Sequence, residues 1–203
     1  MKKGIGFLIL TLIVSAYTST LKASNIYPLE VFTSNGEYCD NSVLNLYFEL
    51  TEHIATVDFI FQNESLVDSC IARIYFEDNL LLDGGTIVEG EGTSFSLPAT
   101  PGDLPGGQTL NPPFKRTCGF SIDAEPPCAH AGVNPGEFVK VTFDLVGGAT
   151  FANLIDALNS SQMRIGAHII ALPDGSSESA VNIPEPATIL LLGLGAVILR
   201  RKH

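Results

Sequence analysis

The chain has 203 residues, enough for one domain with a real core and little left over for a second. Its formal charge of −11 understates the middle: between Ser24 and Asn182 stand 21 acidic residues and only five basic ones, Arg73, Lys115, Arg116, Lys140 and Arg164. So negative a surface repels phosphate backbones, which argues against nucleic acid as a partner; like charge keeps such a domain soluble, and an acidic face can also attract divalent cations.

At the amino end, Met1-Lys2-Lys3 precedes an uncharged apolar run over residues 4–14. That is the charged n-region and short h-region of a secretory signal, too short for a stable membrane span. Small residues leave two cleavage points open, after Ala16 or after Ala23. Residues 1–23 are assigned to this signal helix, and residues 24–173 to a folded domain.

Within the domain, Leu44, Leu46, Phe48 and Leu50 share one parity and Val57, Phe59 and Phe61 another, the period of half-buried strands. The two runs read as an antiparallel pair. A third run, Cys70 to Phe76, follows Asn63-Glu64-Ser65 and ends at Glu77-Asp78-Asn79, which suggests a meander. Residues 83–113 are rich in Gly and Pro and read as a long loop, ordered or flexible, with only Ser94 to Leu97 strand-like.

Strand alternation resumes at Phe138–Leu145, and Arg164–Leu172 is another β-rich run. Between them Phe151, Leu154, Ile155 and Leu158 recur at helical spacing behind Thr150, a suitable N-cap. The expectation is a mainly β fold, an antiparallel jelly-roll-like β-sandwich with one short helix plugging an end.

Cys39, Cys70, Cys118 and Cys128 form an even set in a chain built for export, where disulfides are the default and four cysteines allow three pairings. Cys118 with Cys128 and Cys39 with Cys70 is the favoured arrangement, each bridge contributing about 2–4 kcal/mol. The alternative, zinc held by Cys118, Cys128 and His130, lacks the paired short spacings of structural sites. His53, His130 and His168 are scattered, and no nucleophile elbow, zinc-protease helix or phosphate loop accompanies them. Neither a cofactor nor a catalytic residue is therefore assigned.

After the polar stretch 174–182, read as a spacer, come Pro184-Glu185-Pro186, an apolar run without charge over residues 187–199, and the basic stop Arg200-Arg201-Lys202. Thirteen helical residues reach about 20 Å, short of the roughly 30 Å hydrocarbon core. Two prolines hold Glu185 in an extended segment while the basic cluster stays cytoplasmic. This order, with Pro184-Glu185-Pro186-Ala187-Thr188, a Leu/Gly-rich run and the Arg-Arg-Lys ending, resembles the PEP-CTERM sorting signal of bacteria over residues 183–203.

The resemblance implies that exosortase, a membrane enzyme, recognises the tail and cuts near the motif. The tail holds the chain at the inner membrane until then, and the protein passes on to the cell envelope or the extracellular polymer matrix. Asn134-Pro135-Gly136-Glu137, Pro101 to Gly107, Asn111 to Phe114 and Gly175 to Ser179 also resemble a recurrent group of such exported proteins, for which no activity carries over.

The expected function is thus a non-catalytic surface or matrix protein, associated with extracellular polysaccharide. Two alternatives stand beside it: an envelope hydrolase using Asp123 and Glu125 as acid and base, and a Ca²⁺-dependent adhesion module using Asp78, Asp83, Glu89 and Glu91.

Overall fold

Val57, Phe59 and Phe61 point inward from one strand and meet Phe48 and Leu50 of its neighbour. This is the packing that period-2 alternation demands when one sheet face is buried. The strands are β2 (Leu46–Glu52) and β3 (Thr56–Asn63), antiparallel from Leu46↔Asn63 to Glu52↔Val57, as their parities require. The computed structural model describes residues 25–183 except Asn79 and residues 117–119. The signal over 1–23 and the tail from Pro184 onward, with their expected helices, lie outside the described residues.

Eight further strands complete the sheet: β1 (Ile26–Val31), β4 (Cys70–Glu77), β5 (Leu82–Glu89), β6 (Phe95–Ser96), β7 (Ser121–Ala124), β8 (Phe138–Leu145), β9 (Arg164–Ile170) and β10 (Glu178–Asn182). They run β5-β8-β3-β2-β1-β10-β9-β4-β7-β6 in one continuous antiparallel ladder. The mainly β, antiparallel expectation holds. The two separate layers of a jelly-roll-like sandwich are replaced by one ten-stranded sheet that curls until its edges β5 and β6 meet, a nearly closed barrel. A nearly closed sheet leaves little unpaired edge.

The meander expectation fails at β4, which pairs with β9 and β7 instead of following β3. A bulge between Ile71 and Arg73 resets its parity, so that Ile71, Ile74 and Phe76 all face the core. Phe76 then meets Phe143 of β8 edge to face at 4.9 Å, and Phe120 meets Phe143 at 4.7 Å, so aromatic side chains from opposite walls fill the barrel. Gly84-Gly85, read from sequence as a loop, is a second bulge inside β5. Gly85 has φ +132°, and a Cβ there would come within 2.1 Å of Phe120.

Helix α2 (Phe151–Asn159) matches its expected bounds. The Thr150 hydroxyl accepts from the Asn153 backbone N–H, and the Asn153 side chain accepts from the Thr150 N–H, a reciprocal cap. Leu154, Ala157 and Leu158 are buried in the main core, so the helix plugs one barrel end. The other helix, α1 (Cys128–Ala131), is a single turn.

Residues 97–116 are an ordered strap over the outer face of β4, β9 and β10. Ala99, Leu104 and Phe114 form a second core there with Tyr75 and Val181. Tyr75 Oη donates to the Pro101 carbonyl at 3.0 Å, and the Arg164 guanidinium donates to the carbonyls of Pro112 and Pro113 at 2.8 and 2.9 Å. The same guanidinium pairs with Glu77 and lies 5.5 Å over the Phe114 ring.

The stretch expected as a spacer contains β10, whose five residues are all buried between β1 and β9. Two carboxylates make this possible. Glu178 accepts from the Asn35 and Gly36 N–H groups at 2.7 and 3.0 Å and from the Thr33 hydroxyl, and Asp174 accepts from the Glu37 N–H at 2.8 Å.

Candidate functional site: the rim that carries the tail

In an antiparallel barrel every strand end belongs to one of two rims. β1 pairs with β10 through Leu29↔Asn182, Glu30↔Val181 and Val31↔Ala180, so the chain enters at Asn25 and leaves at Ile183 on the same rim. That rim also carries the β2–β3 hairpin 53–55, the β4–β5 turn 78–81 and the β8–α2 loop 146–150. At the exit, Asn182 Oδ1 accepts from the Ile165 N–H at 2.5 Å, locking the last strand residue to β9.

The sorting residues Pro184, Glu185 and Pro186 and the basic stop Arg200, Arg201 and Lys202 lie outside the described residues, as does Cys118. The other three cysteines are free thiols. Cys39 lies 3.6 Å from the Ser34 hydroxyl, whereas Cys70 is buried and its Sγ donates to the Cys128 carbonyl at 3.3 Å. The structure therefore does not join Cys39 to Cys70, because the start of β4 packs on the α1 turn.

Of the two carboxylates considered as acid and base, Asp123 is engaged by its neighbours. Asp123 Oδ1 lies 3.0 Å from Arg73 Nε, an ion pair without an aligned hydrogen bond, and Oδ2 accepts from the Thr100 N–H at 3.1 Å. Glu125 stands exposed beyond the end of β7. The four acidic residues considered for Ca²⁺ do not converge. Asp83 and Glu89 sit at opposite ends of β5, about 20 Å apart at strand rise, and Asp78, Asp83 and Glu89 each accept from a nearby backbone N–H. Among the described residues no group of three or more His, Cys, Asp or Glu is placed to hold a metal ion.

Two polar clusters went unread in the sequence. Asp123↔Arg73↔His168↔Ser179 lie opposite one another across β7, β4, β9 and β10, with His168 Nδ1 3.3 Å from the Ser179 hydroxyl. Burial above all, and then Arg73, hold the His168 imidazole below its ordinary range, so it is neutral at pH 7. On the other wall Asp58 accepts from Thr142, His53 and Lys140 at 2.6, 3.1 and 3.1 Å. Burial raises the Asp58 carboxyl, but these three donors outweigh it and hold the group below the usual carboxylate range. Arg73 and Asp58, each a charge inside an apolar alternating run, were the available signals; their partners come from distant strands.

Residues 182–202 match the family model described as the PEP-CTERM protein-sorting motif. Comparison with curated proteins yields no match, and comparison with solved structures yields none. The chain is an exported, cell-surface-directed protein that carries a PEP-CTERM protein-sorting motif, the signal processed by the membrane enzyme exosortase.

Proposed function

We propose that the barrel is a non-catalytic surface or matrix module. It is exported by the amino-terminal signal, held at the inner membrane by the tail, and freed when exosortase cuts near Pro184-Glu185-Pro186. The observation that carries this reading is that the sorting motif begins on Asn182, the last residue of β10. A cut beyond it leaves all ten strands paired. The carboxylates considered for catalysis or Ca²⁺ are for the most part committed to backbone donors or to Arg73, which favours a packing role for them over chemistry. With 21 acidic residues against five basic ones in the middle of the chain, the extracellular polysaccharide it suits is neutral or basic.

The test is cell fractionation of the wild type beside a Pro184→Ala/Glu185→Ala/Pro186→Ala variant. The wild type is expected outside the inner membrane and the variant retained in it. The same distribution for both would overturn the reading.

A further inference from the structure

The rim that releases the tail is also the one at which apolar side chains stand out. Ile54, at the tip of the β2–β3 hairpin, is fully exposed, Leu80 is 74% exposed and Val146 is 40% exposed. Three loops are bound side by side there: the Leu145 N–H donates to the Ala55 carbonyl at 3.1 Å, and the Val146 N–H to the Leu81 carbonyl at 3.0 Å. In so acidic a domain, the tip residues 53–55 and 146–150 carry no carboxylate, and the one in the 78–81 turn, Asp78, is buried. On the opposite rim, exposed Leu66 shares its loop with Glu64 and Asp68, and exposed Phe138 and Val88 stand next to Glu137 and Glu89, so the apolar side chains there are interleaved with carboxylates.

The distance to the membrane follows from the sequence. Ile183 ends the described chain, and the uncharged run begins at Ala187. Four residues, fully extended, reach about 14 Å. While the run is inserted, the exit at Ile183 stays within about 14 Å of the hydrocarbon core, so this rim is held at or just above the headgroup layer, which is roughly 5–8 Å thick.

We propose that the Ile54, Leu80 and Val146 tips rest in the interfacial layer of a lipid bilayer, so that the barrel stands on the membrane with its tail rim down until the tail is cut. The inference rests on the reading that the tail is inserted before processing. A few apolar side chains gain too little area to hold a free domain on lipid. Tethering supplies the missing effective concentration, so the contact forms with the tail present and dissolves once it is gone. Glu52, Asp83 and Asp144, exposed behind the tips, and Asp156, exposed on α2, which plugs this same rim, disfavour anionic headgroups, so the surface that fits is zwitterionic.

The chain contains no tryptophan, so one introduced indole reports without background. The chain from Ser24 to His203, free of the signal that would itself tether this rim, is made as Ile54→Trp and, separately, as Leu66→Trp, both at exposed positions. Each is reconstituted with phosphatidylcholine vesicles that contain brominated lipid. Ile54→Trp is expected to shift to the blue and to be quenched several-fold more strongly than Leu66→Trp, and the difference should vanish in chains ending at Ile183. Equal quenching at the two positions, or none at Ile54→Trp in chains that float with the vesicles, would overturn the proposal. So would quenching that needs an added membrane protein. Chains that do not float at all would refute tail insertion itself, and this inference with it.

Discussion

Leu104 occupies the space above Gly166 that any larger residue would claim: a Cβ at Gly166 would lie 2.6 Å from Leu104 Cδ2. The strap over 97–116 is thereby keyed into β9, the strand beside β10. Leu104→Ala should cost about 2–4 kcal/mol through the cavity it leaves beside Tyr75. Limited proteolysis should then cut first within 97–116. Gly166→Val should release the same segment by displacing Leu104. Unchanged cleavage in both variants would contradict the keyed strap.

Glu178 is fully buried, and its acceptors hold the 33–36 segment against β10. Glu178→Ala leaves two backbone N–H groups without their partner and should lower stability by about 3 kcal/mol. Hydrogen exchange at the Asn35 and Gly36 amides should accelerate. Glu178→Gln keeps one carbonyl oxygen and should fall between the two; a Gln variant as damaged as the Ala variant would contradict the hydrogen-bonding role.

His168 makes stability depend on pH in a stated direction. Its folded pKa lies below the unfolded value, chiefly by burial and next by Arg73, while Glu178 and Asp123 push less strongly the other way. The unfolded chain therefore binds the proton first as pH falls, so the contribution is complete above about pH 6.5 and declines below it. Melting temperatures between about pH 7 and pH 5 should drop more for the wild type than for His168→Gln. Parallel curves would contradict this.

Burial first, and the Glu137 charge next, push the Cys70 thiol up to about 12. In the reduced, folded chain at pH 8, iodoacetamide should modify the partly exposed Cys39 well before Cys70, and unfolding should remove the difference. Equal rates in the folded chain would place Cys70 outside the core.

What the sequence made legible was local. Val57, Phe59 and Phe61 alternate because one face is buried, and α2 was bounded correctly because Thr150 caps it and the apolar spacing ends at Asn159. What it hid depended on partners far along the chain. Glu178, Ser179 and Asn182 look like a polar spacer until Thr33, His168 and Ile165 supply their hydrogen bonds. Gly84-Gly85 looks like a loop until Phe120 needs the room. That Cys39 and Cys70 stand apart was hidden for the same reason, since nothing near Cys70 in sequence announces that β4 begins against α1. The sorting motif was readable because its residues act as a linear signal, while the rim it leaves from is a property of the β1–β10 pairing.

The most direct test is the intact mass of the mature protein recovered from its own cells. The account predicts a chain that starts near Tyr17 or Ser24 and has lost the apolar run and basic stop beyond Pro184-Glu185-Pro186. A mature chain that still ends at His203 would contradict it.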